Sequence, residues 1–75
     1  METEVGGNLR MTLKELREAK NLTQLDVAYK LGTTPTTVSN WERGIQEPRS
    51  SQIPALAELY GVTLHQIFEA IKNSK

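Results

Sequence analysis

The chain has 75 residues, of which nine are basic and nine acidic, so its formal net charge is zero, and it contains no cysteine. This length fits one domain with a thin core, and the composition excludes disulfide bonds and thiolate metal sites. No apolar run approaches the roughly 18 residues that span a bilayer, and the N-terminus lacks the apolar block of a signal peptide. We therefore expect a cytoplasmic protein.

Threonine caps and helix-ending residues alternate along the chain and predict five helices. The N-terminal caps are Thr12, Thr23, Thr34 and Thr63, and the residues that end helices are Asn21, Gly32, Gly44 and Gly61. The predicted helices span about 12–20, 24–31, 35–43, 51–60 and 64–71. Pro54 falls inside the first turn of the fourth helix and blurs its start. Residues 11–71 then form the domain, between a flexible tail at 1–10 and a frayed end at 72–75.

Apolar periodicity without any strand-like alternation makes the fold class all-α. The expected core consists of Leu16, Leu22, Val27, Ala28, Leu31, Val38, Trp41, Ile53, Leu56, Ala57, Leu59, Leu64, Ile67 and Phe68. Leu25 and Tyr29 lie four residues apart and are expected to be partly exposed. In the apolar stripe of the fifth helix, the far end near Ile71 is a candidate dimer contact.

The segment from Gln24 to Trp41 satisfies the spacing of a helix-turn-helix, in which two short helices cross steeply and the second enters the DNA major groove. The crossing needs a small residue midway along the first helix, which is Ala28. The turn needs a residue that adopts positive φ, which is Gly32. The second helix needs inward apolar anchors three residues apart, which Val38 and Trp41 supply. An ordinary helical hairpin rarely combines all these matches.

The second helix has a polar outward face. At about 100° per residue, Val38 and Trp41 share one side, while Glu42 turns back toward the first helix of the chain. The opposite side and the N-terminal tip carry short hydrogen-bonding groups and one cation, without an acid: Thr34, Pro35, Thr36, Thr37, Ser39, Asn40 and Arg43. Such a face suits groove entry, because carboxylates would be repelled by phosphates. A face of this kind could equally meet only water.

The stretch LKELREAKNLTQLDVAYKLGTTPTTVSNWERG, followed by PRSSQIPALAELYGVTLHQI, resembles the phage-repressor helix-turn-helix family of the Cro/XRE type. The resemblance covers about residues 11–71, and its most specific pieces are LTQ, the Gly32 turn, NWERG and LYGVTL. It implies a five-helix lambda-repressor-like DNA-binding domain that binds operator DNA as a two-fold dimer.

The resemblance also implies roles for individual residues. Gln24, at the start of the second helix, would contact a phosphate, and Arg49 matches a second phosphate-contact region. Arg17 and Glu42 match an ion pair that ties the first helix to the recognition helix. Positions facing base edges are Thr34, Pro35, Thr36 and Asn40, whereas Ser39 and Arg43 lie nearer the DNA backbone.

Pro35 departs from the family pattern, because several relatives have glutamine or another long donor at the tip of the recognition helix. Proline can touch a thymine methyl group but cannot donate a hydrogen bond. Direct base recognition then falls mainly on Thr36, Asn40 and Arg43. Asparagine pairs with N6 and N7 of adenine, so we expect a half-site that contains A·T pairs.

Two functional hypotheses remain from the sequence. The first is a transcriptional regulator, most readily a repressor, that binds double-stranded operator DNA as a homodimer and associates with the nucleoid. The second is a protein-interaction module that keeps the fold without DNA binding, which the neutral charge and Pro35 favour. No residue pattern suggests an enzyme, a cofactor, a small-molecule ligand or a membrane, and His65 has no second histidine or cysteine with which to hold a metal.

Overall fold

The computed structural model describes residues 10–75, and within that range the chain forms five α-helices, one 3₁₀ turn and no β-strand. The helices are α1 (Leu13–Ala19), α2 (Gln24–Leu31), α3 (Pro35–Glu42), α4 (Ile53–Tyr60) and α5 (Leu64–Asn73), and the 3₁₀ turn Ser50–Gln52 precedes α4. The predicted all-α, five-helix class is confirmed. The predicted N-terminal tail lies outside the described residues, apart from Arg10. None of the helices in this range is long and apolar enough to cross a bilayer.

Local capping determines where the helices begin. At α1 the Thr12 hydroxyl accepts the amide of Glu15 at 3.2 Å, while the Glu15 carboxylate accepts the amide of Thr12 at 2.9 Å. The same reciprocal capping occurs at α2 and α5, and it satisfies amides that a helix terminus otherwise leaves unpaired. Thr34 caps α3, whose first residue is Pro35, where a missing N–H has no consequence.

Left-handed backbone conformations determine where the helices end. Asn21 has φ of 58° after α1, and Gly32 has φ of 67° after α2, as their residue types predict. The start of α4 differs from the prediction of about Ser51, since residues 50–52 form a 3₁₀ turn instead. Pro54 lacks an N–H and stands as the second residue of α4, so regular α-helical bonding cannot extend further back through it.

The core is one apolar cluster to which all five helices contribute. Val27 of α2 and Val38 of α3 have no exposed surface, and both helices pack closely around them. Leu22, Leu31, Ile53 and Leu59 pack against this cluster while staying partly exposed. Leu25 and Tyr29 are exposed, which confirms their predicted position. The buried hydrophobic cluster also contains Leu13, Tyr60, Ala70 and Ile71, which were not in the predicted core.

The inward face of α5 corrects the predicted core. Leu64 and Phe68 were expected inside, but they are 49% and 54% exposed. Ile67, Ala70 and Ile71 face the core instead. At about 100° per residue, Ile67, Ala70 and Ile71 share one side of α5, and Leu64 and Phe68 lie at its edge. Ile71 is therefore a core residue, so its side chain is not available for the dimer contact that the sequence left open, and a contact elsewhere at this end of α5 stays a prediction.

The last helix extends beyond its expected end at about residue 71. The helix α5 continues to Asn73, and the next residue, Ser74, donates its hydroxyl to the carbonyl of Ala70 at 2.7 Å. The same hydroxyl accepts the amide of Leu13 at 3.0 Å, and the side-chain amide of Asn73 donates to the carbonyl of Met11 at 3.0 Å. These bonds link Asn73 and Ser74 to residues more than sixty positions away, while fraying of residues 72–75 stays a prediction.

Candidate nucleic-acid interface

The helix α3 divides into an apolar side and a polar side. Val38 is fully buried and Trp41 is 3% exposed, so these two side chains anchor α3 to α2 and the rest of the core. Thr36, on the opposite side, is exposed. Because α3 rests on the protein along one side only, its other side is open to a partner as large as a DNA groove.

The N-terminal tip of α3 presents three uncharged side chains, from two threonines and one proline. Thr34 and Pro35 are exposed, and Thr37 is half-buried. The hydroxyls of Thr34 and Thr37 lie 3.0 Å apart within hydrogen-bond distance, and the Thr34 hydroxyl also accepts the amide of Thr37 at 3.2 Å. These two bonds link Thr34 to Thr37 within the tip.

Asn40 lies on the same polar side and is coupled to the loop that follows α3. Ser39 and Asn40 are half-buried rather than fully exposed. The carbonyl of Asn40 accepts the amides of Ile45 at 3.0 Å and Gln46 at 3.2 Å. The side-chain amide of Asn40 donates weakly to the Gln46 side-chain oxygen at 3.5 Å. Sequence analysis missed Gln46, because nothing in its loop sequence indicates that it folds back onto Asn40.

Two arginines flank the polar side of α3. Arg43, the residue after α3, and Arg49 are both exposed. The backbone amide of Arg49 donates to the side-chain oxygen of Gln52 at 2.9 Å, which holds this part of the loop. A polar depression lies between Arg49 and α3, and its lining residues are Gly32, Thr33, Thr37, Gln46, Arg49 and Gln52. The loop thus brings Arg49 beside Thr37 of α3.

The acid of α3 faces inward and is paired. Arg17 Nε donates to Glu42 Oε2 at 2.6 Å and Arg17 Nη2 donates to Glu42 Oε1 at 3.2 Å, while Nη1 donates to the carbonyl of Leu22 at 2.8 Å. The side chains of Arg17 and Glu42 are only 10% and 5% exposed. The hydrogen bond with Glu42 raises the pKa of Arg17 above its ordinary value, so the guanidinium stays charged. The ion pair that the resemblance implies therefore joins α1 to α3.

Gln24 has a different partner from the one implied by the resemblance. Its side-chain amide donates to Glu42 Oε1 at 3.0 Å, and the residue is half-buried. The structure thus makes Gln24 a third member of the Arg17–Glu42 group. The side-chain NH2 carries two hydrogens and donates one of them to Glu42, so contact with a phosphate would use the second N–H.

Most of the predicted site residues meet at one surface, formed by the polar side of α3 and the loop after it. Their members are Thr34, Pro35, Thr36, Thr37, Ser39, Asn40, Arg43 and Arg49, and the structure adds Gln46. These nine residues include two arginines and no acid. Glu42 of α3 is directed away from them, while the exposed Glu47 of the loop pairs with Lys75. Across residues 10–75, no group of three His, Cys, Asp or Glu side chains is placed to hold a metal ion.

Comparison with known proteins assigns the amino-acid sequence to a family. The helix-turn-helix family model matches residues 13–67, which contain all of α1 to α4 and the first part of α5. The chain belongs to the helix-turn-helix family of the Cro/XRE type. This is a family of DNA-binding transcription regulators. The resemblance to this family that the sequence indicates is therefore confirmed.

Three helix-turn-helix relatives illustrate the similarity. The uncharacterized HTH-type transcriptional regulator MJ0272 of Methanocaldococcus jannaschii is 35% identical over 60 residues, which are 80% of this chain and 91% of the relative. The HTH-type transcriptional activator BcrR of Enterococcus faecalis is 33% identical over 55 residues, 73% of this chain and 27% of the relative. The cryptic phage CTXphi transcriptional repressor RstR of Vibrio cholerae is 31% identical, again over 73% of this chain and over 50% of the relative.

The helix-turn-helix match covers only part of several relatives. The chain spans about a quarter of the activator from Enterococcus faecalis and half of the repressor from Vibrio cholerae. None of the solved structures matches the chain significantly.

Proposed function

We propose that this protein binds specific double-stranded DNA by placing α3 in the major groove, and that it acts as a transcriptional repressor in the cytoplasm, at the nucleoid. The observation that carries the proposal is the division of α3. Val38 and Trp41 are buried on one side, Thr36 and the tip are exposed on the other, and Glu42 is neutralised behind the helix by Arg17. Phosphates approaching the polar side meet cations and dipoles rather than a free carboxylate.

The contacts divide by chemistry into those that recognise bases and those that position the protein. Thr36 and Asn40 offer short hydrogen-bonding groups to base edges, and Pro35 offers an apolar contact to a thymine methyl. Arg43 and Arg49 stand at the flanks, where phosphates run along the groove. Asn40 favours adenine, so its position in the half-site is expected to be an A·T pair.

Repression is proposed because the similarity includes a phage transcriptional repressor, and because occupying an operator is sufficient to block a promoter. A reporter gene placed downstream of the selected site tests this directly. Expression that falls when the protein is produced supports repression. Expression that rises would instead assign the protein the role named for the relative from Enterococcus faecalis.

The deciding experiment is selection of bound duplexes from a random-sequence pool. A dimeric helix-turn-helix protein should recover two half-sites about 34 Å apart, or a multiple of that distance. Recovery of no preferred sequence at low salt would overturn the proposal and favour a protein-interaction module.

Point variants then separate base recognition from phosphate contact. Asn40→Ala is expected to relax the preference at one base pair, a loss of about 1–3 kcal/mol in discrimination. Arg43→Ala should weaken binding to all sequences and reduce the dependence of log affinity on log salt by about one. Lys30→Ala is the matched control, because Lys30 is an exposed cation of α2 beside Glu58 and Leu59 of α4. If Asn40→Ala keeps the base preference of the wild type, the proposed docking of α3 in the major groove is excluded.

We also propose that the operator-bound form is a homodimer that associates through the edge of α5. Leu64 and Phe68 are exposed there and line a groove with Ile53, Pro54 and Ser50. None of these five side chains is charged, so a second copy would meet the same surface without like-charge repulsion. Burial of this groove would add apolar area that a chain of this size lacks.

Phe68→Ser tests the homodimer. It should weaken self-association, measured by sedimentation on operator duplex, while leaving the helical content unchanged. Tyr29→Ser is the matched control, because Tyr29 is an exposed aromatic side chain in a separate apolar groove with Leu22 and Leu25. If Tyr29→Ser disrupts the dimer and Phe68→Ser does not, the interface lies on α2 instead.

A further inference from the structure

The turn that ends the recognition helix is in close contact with the residues that follow α5. Gly44 has φ of 75°, and a β-carbon there would lie 2.6 Å from Cα of Lys75 and 2.8 Å from the carbonyl oxygen of Ser74. Non-bonded atoms do not lie this close to a real β-carbon. The backbone of Ser74 and Lys75 therefore occupies the space that a side chain at residue 44 would need. Lys75 also forms an ion pair with Glu47 in the same loop.

The loop residues that follow this contact are bonded to Asn40, on the polar side of α3. The residues after Gly44, Ile45 and Gln46, both donate their amides to the carbonyl of Asn40. The Gln46 side chain also accepts from the Asn40 side chain. A shift of the backbone at Gly44 therefore moves the two amides that donate to the Asn40 carbonyl.

The residues on the other side of the contact are themselves anchored. The Ser74 hydroxyl binds both the carbonyl of Ala70 and the amide of Leu13, a residue that is 1% exposed. Asn73 donates to the carbonyl of Met11. The end of α5 is thus bonded to the start of α1, and it forms a rigid support rather than a loose segment resting on the loop.

We propose that Ser74 and Lys75 are positioning residues for DNA recognition: their backbone supports the turn at Gly44 and thereby fixes the orientation of Asn40. The inference rests on the proposed DNA binding by α3, and it assigns a role in sequence selectivity to residues remote from the helix-turn-helix. Two features support it independently, the backbone contact at Gly44 and the hydrogen bonds of Ser74 to α1 and α5.

The test compares Gly44→Ala with Gly61→Ala. Gly61 has φ of 68°, so alanine is strained equally at both positions, but a β-carbon at Gly61 would meet only the flexible end of the Lys20 side chain. The measurement is the ratio of affinities for the selected operator and a scrambled duplex, at a temperature at which circular dichroism shows both variants fully folded. Gly44→Ala is expected to lower this ratio about ten-fold, and Gly61→Ala to leave it within about two-fold.

Equal ratios in wild type and Gly44→Ala would overturn the inference, because a merely structural role lowers stability without altering the preference among sequences. Ser74→Ala is the second variant, and it decides the matter if Gly44→Ala does not fold. It removes the bond to the amide of Leu13 without changing the turn itself, and it should lower the ratio by a factor of about two to five. An unchanged ratio in Ser74→Ala also counts against the inference.

Failure of the proposed function gives a different result. In that case the wild-type chain itself shows no preference for any duplex. Amide hydrogen exchange can then still test whether the turn at Gly44 is coupled to Ser74 and Lys75. Faster exchange at Ile45 and Gln46 in Gly44→Ala, but not in Gly61→Ala, supports coupling of the turn to Ser74 and Lys75, and unchanged exchange excludes it.

Discussion

The guanidinium of Arg17 and the carboxylate of Glu42 lie 25 residues apart in the chain and form two hydrogen bonds, at 2.6 and 3.2 Å. The pair joins α3 to α1. It also removes the charge of Glu42 from the side of α3 that is proposed to approach DNA. Gln24 extends the same group to α2 through its bond to Glu42.

Replacing Arg17 with methionine should lower the free energy of unfolding by roughly 3–5 kcal/mol, because the buried Glu42 carboxylate loses its counterion. Urea denaturation measures this difference. The double variant Arg17→Met with Glu42→Leu removes both charges and should recover most of the loss. If Arg17→Met is as stable as the wild type, water must solvate the Glu42 carboxylate in place of the guanidinium.

Replacing Pro35 with glutamine should change base preference more than stability. Pro35 is exposed and stands first in α3, where Thr34 still caps the helix. We expect the free energy of unfolding to fall by no more than about 1 kcal/mol. Glutamine adds a donor that pairs with adenine, so duplex selection should recover a new A·T preference at one position. Recovery of the wild-type site would indicate that this tip does not reach the bases.

Acidification should weaken the protein through Asp26. Hydrogen bonds from the backbone and hydroxyl of Thr23 lower the pKa of Asp26 below its ordinary 3.8. The folded state therefore favours the carboxylate, and this stabilisation is present above pH 3.8 and disappears as the pH falls through the lowered value. Unfolding measured across this range should show a smaller dependence on pH in Asp26→Asn. Identical pH profiles would exclude a contribution from this cap.

Alkali should weaken the protein through Tyr60. Burial is the main cause that raises the pKa of Tyr60 above its ordinary 10, and the nearby Glu42 carboxylate adds to the effect. Above pH 10 the unfolded chain ionises this phenol while the folded protein keeps it neutral, so stability falls as the pH rises toward the folded value. Tyr60→Phe should lose this dependence. Ultraviolet absorbance of the phenolate during unfolding provides the measurement.

The helices and the helix-turn-helix spacing could be predicted from sequence because their causes are local. Thr12, Thr23, Thr34 and Thr63 each bond to an amide three residues ahead, and Gly32 needs only its own backbone freedom to end α2. The alternation of Val38 and Trp41 with polar residues likewise shows which side of α3 is buried. Family resemblance supplied the partner of Arg17.

Only the tertiary structure decided the remaining features, since they depend on how helices rotate and meet across long stretches of chain. Leu64 and Phe68 lie at the surface because Ile67, Ala70 and Ile71 form the side of α5 that faces the core. Gln24 faces Glu42, and Lys75 rests on Gly44. A residue's neighbours along the chain determine its backbone, whereas burial and distant partners follow from packing that no short segment contains.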